Sequence, residues 1–345
     1  MSNIVVFPFD EMVREFLKYD NFYDNIFILK SRDVNFALDG LNKVKIINDL
    51  LEVIDQVDSA LILSNHQQSC LYEKEIIDLI EKKKKIYTTK ETKELYKPLI
   101  NYENIYLLDY PDIKENYSAK NIIPIPVPVI SFLADGENCD NFLLQINFKH
   151  YFEEQGYKVL AFADEKYAAL FDINPFPEFI FKPMSLVNKI VAFNHYIYEK
   201  IFIEKPDIVI LGSSGGILPI NMDILQDYGE RSIVISSAAI PDIVIRSIYY
   251  GKYDLNFFEE DKKRVKYKLA SPVEYYHVSQ TGIVYPLSLF EDLGYVKVPK
   301  EKVYELIEKK DIKSYGWICN MLEGDVIKEV GQDILNKLYV SYEIL

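Results

Sequence analysis

The chain has 345 residues, a formal net charge of −14, 49% hydrophobic residues and 14% aromatic residues. That length suits two domains of ordinary size. The acidic balance argues against a broad nucleic-acid or anionic-membrane surface, since both need a basic face.

Cys70, Cys139 and Cys319 lie far apart and make no C-x-x-C pair, so neither a disulfide framework nor a structural zinc site is expected. The start, Met1-Ser2-Asn3-Ile4, lacks the basic region and long apolar core of a signal peptide, and no run is apolar enough to span a bilayer. A soluble, cytoplasmic protein is the expectation, with no metal centre of its own.

Residues 4–9 read as a first strand, and Asp10 can cap a helix that follows through residue 19. Residues 26–29 are a second short strand. Val44, Ile46, Ile47, Leu50, Leu51 and Ile54 recur at helical spacing, which predicts a helix over 41–57. Strands are predicted at 60–63, 86–88 and 105–108, with a helix over 73–85. Short strands alternating with helices imply a parallel, Rossmann-like α/β domain over residues 1–115. His66 follows a predicted strand, on the edge where open α/β sheets bind ligands. A lone histidine there also reads as an ordinary loop residue. Lys82 to Lys85 reads as a solvated helix end near the negative pole of the dipole.

Residues 116–128 are the predicted linker, stiffened by Pro124, Pro126 and Pro128 at alternate positions. A second domain then spans 129–345. It opens with an apolar strand, a tight polar loop Ala134-Asp135-Gly136-Glu137-Asn138-Cys139-Asp140-Asn141, and a helix closing at Gly156. Strand, loop and helix is the layout of a phosphate-binding P-loop, G-x-x-x-x-G-K-[ST]. The chemistry of that motif is missing. With Asp140 on the second glycine, Asn141 falls on the Lys and Phe142 on the Ser/Thr. The Lys would neutralise phosphate and the hydroxyl would hold Mg²⁺. Asp135, Glu137 and Asp140 instead add negative charge.

Further along, residues 157–163 read as a strand, 170–184 as an aromatic-proline loop and 185–203 as a helix. Residues 207–211 form a strand leading into the glycine turn Gly212-Ser213-Ser214-Gly215-Gly216. A strand is predicted at 233–236, a helix over 238–250, a charged helix over 253–269 and a strand at 273–278. Leu322, Val326, Ile327, Val330, Ile334, Leu335 and Leu338 form one face of a terminal amphipathic helix, expected to pack on the body.

The glycine turn supports three readings. It can be plain backbone geometry. It can face the degenerate P-loop, so that Gly136, Asn138, Asn141, Phe142, Gly212, Ser213, Gly215 and Gly216 line one remnant pocket. Such a pocket would take ATP or GTP with Mg²⁺ through backbone N–H groups alone, although the acidic metal-holding position after this strand is Gly212. Or Gly212-x-Ser214-x-Gly216 can be a nucleophile elbow, with Asp242 and His277 following in the hydrolase order. Against that elbow stands Pro219, where a helix should be running.

Three stretches carry a resemblance: Val127-Pro128-Val129-Ile130 through Gly136-Glu137-Asn138-Cys139 and Phe142; Pro206-Asp207-Ile208-Val209-Ile210 through Gly212, Gly215-Gly216-Ile217 and Pro219; and Ile235-Ser236, Ala238 and Pro241-Asp242. Together they resemble the clostridial peptide maturation system protein family and cover most of the second domain. Members are encoded beside radical SAM maturases and short cysteine-rich precursor peptides. The resemblance implies an accessory role in such a pathway, binding the precursor peptide or the maturase, and it supplies no catalysed reaction. Typical members are expected to carry a Lys before the loop's aromatic residue; this chain has Asn141. A nucleotide-dependent enzyme of the same pathway and a serine hydrolase are the alternatives.

Overall fold

The computed structural model describes residues 2–8, 16–29, 42–63, 72–113, 121–285, 293–309, 312 and 315–342. His66, Cys70 and most of the helix expected over 10–19 lie outside the described residues. The chain forms two compact units. The first comprises Met1–Asp109 with Ala169–Phe171, the second Tyr110–Ala168 with Asp172–Leu345.

Among its described residues the first unit holds six parallel strands: β1 (Ser2–Phe7), β2 (Tyr23–Leu29), β3 (Val44–Ile47), β4 (Ser59–Ile62), β5 (Lys85–Thr88) and β6 (Ile105–Leu107), in the order β3-β2-β1-β4-β5-β6. That order is the dinucleotide-binding Rossmann arrangement, whose direction of winding reverses between β1 and β4. Its strands are apolar and fully buried where they pair centrally, as at Ile4 to Phe7 and Ala60 to Ile62. Helix α1 (Glu73–Glu81) turns Ile76 and Leu79 inward, and short helices α2 (Lys90–Leu95) and α3 (Lys97–Ile100) follow β5.

One expectation fails here. In place of a helix over 41–57, Val44–Ile47 is strand β3 and Leu50–Glu52 is a 3-10 turn capped by Asp49. Val44, Ile46 and Ile47 pair along β2, and this sheet pairing overrides the weak helical spacing.

The second unit contains β7 (Val129–Ala134), α4 (Asn141–Glu154), β8 (Val159–Ala163), β9 (Asn174–Pro175), α5 (Leu186–Glu204), β10 (Ile208–Gly216), α6 (Glu230–Ala238), β11 (Ile243–Tyr250), α7 (Leu255–Leu269), β12 (Tyr275–Val284), β13 (Gly294–Lys297), α8 (Lys300–Ile307), β14 (Trp317–Cys319) and α9 (Gly324–Tyr342). The sheet runs β13-β12-β11-β7-β10-β8-β9, with β14 beside β12. Among the described residues only β13 is antiparallel. The loop-bearing strand β7 is central, and all six of its residues are buried. Helices α4 and α9 cover one face, where Phe132 meets Phe148. Helices α5 to α8 cover the other, burying Phe193, Ile197, Val234, Phe258, Val265 and Val303. Each such side chain contributes about 1.5–3 kcal/mol of transfer free energy.

Three sequence expectations change. The strand at 233–236 and the helix over 238–250 exchange places: Ile233 to Ser236 lie within α6, while Ile243–Tyr250 is β11. A four-residue apolar run cannot be assigned by periodicity. The β-branched stretch Ile243, Val244, Ile245 fits the buried slot between β7 and β12, which only a strand can fill. Third, Gly212 to Gly216 is no tight turn. It continues β10, with a bulge in its pairing to β7 between Ser213 and Gly216.

Candidate functional site

The carboxyl ends of β7, β8, β10 and β11 converge where the second sheet's strand order reverses, the position at which open α/β sheets bind ligands. Asn138 (φ 57°) and Asp140 (φ 59°) are left-handed, a conformation these short polar side chains tolerate, and they fold the loop after β7 tightly onto α4.

Asp140 does not cap its own helix. Its carboxylate accepts Ser279 Oγ–H at 2.5 Å and faces His277 Nε2 at 3.3 Å. His277 Nδ1 accepts the Met321 N–H at 3.0 Å, so the neutral ring carries its proton on Nε2 and donates to Asp140. Burial opposes the Asp140 charge, but the bonds from His277 and Ser279 outweigh it and hold the carboxyl below the ordinary range.

Asn141 stands where a P-loop lysine would reach phosphate. It is buried, and its Nδ2 donates to Phe132 O (3.2 Å) and Ser213 O (2.9 Å), tying α4 to β7 and β10. Phe142, on the Ser/Thr position, is buried as well. One turn later Gln145 lies against Gly212, where an added Cβ would sit 1.9 Å from its amide.

Asp135 opens the loop and accepts Arg246 Nη2 at 2.6 Å. Arg246 Nε lies 2.8 Å from Asp261, which also accepts the Tyr276 hydroxyl at 3.0 Å. Burial pushes the Asp135 carboxyl up, and the charge of Arg246 pulls against that. Burial also works against the Arg246 charge, but Asp135 and Asp261 more than offset it and hold the guanidinium protonated. Burial, then the charges of Asp135 and Asp140, push the Cys139 thiol well up, so at neutral pH it is no thiolate nucleophile.

On the other side, Asp164 follows β8 with its side chain wholly buried. It accepts Ser213 Oγ–H (2.8 Å), the Ser214 N–H (2.8 and 3.0 Å) and Arg231 Nη1 (2.8 Å). Arg231 Nε donates to Asp227 at 2.7 Å, and a Cβ on Gly215 would meet its guanidinium at 2.7 Å. Above the loop, Gln226 receives the Gly216 N–H at 3.1 Å and donates to Asp135 O at 2.7 Å.

The fold thus brings together Gly136, Asn138, Asn141 and Phe142 on one loop with Gly212, Ser213, Gly215 and Gly216 on the neighbouring strand. It does not assemble Ser214, Asp242 and His277. Ser214 lies on β10 and His277 on β12, three strand spacings or about 14 Å apart. Asp242 sits at the opposite edge of the sheet, accepting the Val129 N–H, five residues or about 16 Å from the loop end of β7. Because β10 continues as strand through Gly216, with no helix following Ser214, no elbow presents Ser214.

Nor do the residues fit a P-loop nucleotide with Mg²⁺. The lysine position donates to backbone carbonyls, the hydroxyl position is a buried phenyl ring, and Asp135 and Asp140 are already engaged by Arg246, His277 and Ser279. Among the described residues no group of three His, Cys, Asp or Glu side chains could hold a metal. Sequence reading missed Asp164, Gln226, Arg231 and Arg246. Asp164 alone carried a signal, an acidic residue directly after a predicted strand.

No family model matches the chain, and no curated protein matches it. Its structure is similar to the crystal structure of a DUF1611 family protein from Anabaena variabilis, with a TM-score of 0.58, 8% identity, 97% of this chain and 100% of that chain covered. Signal recognition particle receptors FtsY from Elizabethkingia anophelis and, in chloroplasts, from Physcomitrella patens match 46% and 48% of the chain, covering 51% and 53% of theirs, at a TM-score of 0.29 and 14% and 16% identity. The full-length likeness at 8% identity is one of fold: the chain is an α/β protein with an N-terminal Rossmann-like parallel sheet and a P-loop-like α/β domain after it.

Proposed function

We propose that this is a cytoplasmic accessory protein in the maturation of a ribosomally made cysteine-rich peptide, binding the precursor peptide or a radical SAM maturase. The P-loop-like domain serves as a scaffold rather than an engine. One observation carries the second statement: Asn141, at the lysine position, spends its amide donor on Phe132 O and Ser213 O. A group committed to fastening the sheet offers nothing to a phosphate. The pathway rests on the three stretches around Gly136, Gly212 to Gly216 and Pro241-Asp242 that resemble the peptide maturation family.

The test is co-purification of the tagged full chain with the precursor and maturase encoded beside it. Recovery of either partner in stoichiometric amount is expected, and recovery of neither refutes the role. Titration with Mg-ATP and Mg-GTP should release no binding heat. Micromolar binding would favour the nucleotide-dependent alternative.

A further inference from the structure

We infer that the cleft between Gly136 and Gly216 is a carboxamide site, filled in the resting protein by the chain's own Gln226. Gly216 N–H donates to Gln226 Oε1 at 3.1 Å, and Gln226 Nε2 donates to Asp135 O at 2.7 Å. One donor and one acceptor, from the ends of adjacent strands, therefore grip both ends of a primary amide. The pair is selective. A carboxylate would set oxygen against the Asp135 carbonyl, and an ammonium group would leave the Gly216 N–H without an acceptor. Both glycines make the room. A Cβ on Gly136 would come within 2.8 Å of the Gln226 amide, and one on Gly216 within 2.4 Å.

The plug is built to leave. Gln226 is exposed, and it sits at φ 54°, with Tyr228 at φ 55°, a backbone region that L residues other than Asn and Asp seldom occupy. The loop carries its own fold: Asn221 Oδ1 accepts the Asp223 and Ile224 N–H groups, and Ile220 N–H donates to Ile224 O. It can therefore shift as one piece. Met222, Leu225 and Tyr228 stand exposed on it, so a segment that displaces Gln226 finds apolar contacts beside the cleft. The occupant is an asparagine or glutamine side chain of a peptide. The inference uses the cleft alone and does not depend on the maturation reading, so the co-purification result does not decide it.

The experiment titrates full-length wild type and Gln226→Gly with N-acetylglutamine N-methylamide and its glutamate analogue. Glycine suits the backbone at φ 54°. The variant should bind the glutamine compound about tenfold or more tightly than wild type does, and tenfold or more tightly than it binds the glutamate compound. Equal binding to both proteins, no binding to the variant, or no preference between the compounds overturns the inference. Amide hydrogen exchange gives a second readout. Gly216 should exchange about tenfold or more faster in the variant while Val209 to Leu211 stay protected. Unchanged exchange at Gly216 would show that Gln226 does not close the cleft. If the glycine variant does not fold, Gln226→Ala also empties the cleft and is held to the same outcomes.

Discussion

Gly212→Ala should damage the second unit through one neighbour, Gln145. An alanine Cβ there would lie 1.9, 1.9 and 2.2 Å from the three heavy atoms of the Gln145 amide. The amide has little room to retreat, because Asn141, one turn earlier on α4, fastens the helix to β7 and β10. Forcing a methyl into a packed interior costs about 1–3 kcal/mol, and the directness of this collision places the cost near the upper end. For a unit of this size that is a Tm lower by about 5–10 °C in a thermal melt followed by circular dichroism. Gln145→Ala behaves differently. Neither amide atom of Gln145 has a hydrogen-bond partner, so deleting it loses packing but relieves a buried, unpaired polar group. The two effects are each about 1–3 kcal/mol and oppose each other. In the Gln145→Ala background, Gly212→Ala should then cost less than about 0.5 kcal/mol, leaving a coupling energy of about 2 kcal/mol. Additive shifts in the double variant would refute the reasoning, since they would mean the glycine answers to something other than Gln145.

Asp164→Ala strips the acceptor from Ser213, Ser214 and Arg231 at once, and should cost about 3–5 kcal/mol in urea unfolding; a loss under about 1 kcal/mol would contradict its role as the clasp between β8 and β10. Asn141→Lys should not create nucleotide binding, because Asp135, Asp140 and Gln226 still shape the loop. Micromolar Mg-ATP binding to that variant in a titration calorimeter would show that lysine alone was missing. Asp140 titrates below the ordinary carboxylate range, so its stabilisation is complete above about pH 4 and fades as pH falls through the folded value. Asp140→Asn should accordingly flatten the acid limb of the stability profile, and an unchanged limb would contradict the pairing with His277 and Ser279. Cys139→Ala should leave the rate of thiol labelling of the native protein unchanged at pH 7, since burial and two carboxylates keep that thiol protonated; a slower rate would contradict this.

What was legible in the sequence was whatever local chemistry decides. The apolar strand that opens the second domain, the helix Leu186–Glu204, and the inward stripe Ile327, Val330, Ile334 of α9 each follow from apolar spacing. Where spacing was ambiguous, the sheet decided instead. Ile233 to Ser236 has strand composition but no strand to pair with, whereas Ile243 to Tyr250 fills the gap beside β7. The candidate site was half legible for the same reason. Loss of the lysine at Asn141 and of the hydroxyl at Phe142 is written in the motif itself. The groups that replaced them are not, because Asp164, Gln226, Arg231 and Arg246 are far apart in the chain and meet only when four strand ends converge. Their arrangement has a common logic. In a working P-loop, backbone N–H groups and a lysine are left unsatisfied so that a phosphate can satisfy them. Here Asn141 turns its donor inward, and on the neighbouring strand β10 Asp164 takes the Ser214 N–H and Gln226 the Gly216 N–H. At the lysine position the donor is spent on the sheet, so rigidity replaces phosphate affinity there, and of these contacts the one to Gly216 is made by an exposed side chain, Gln226.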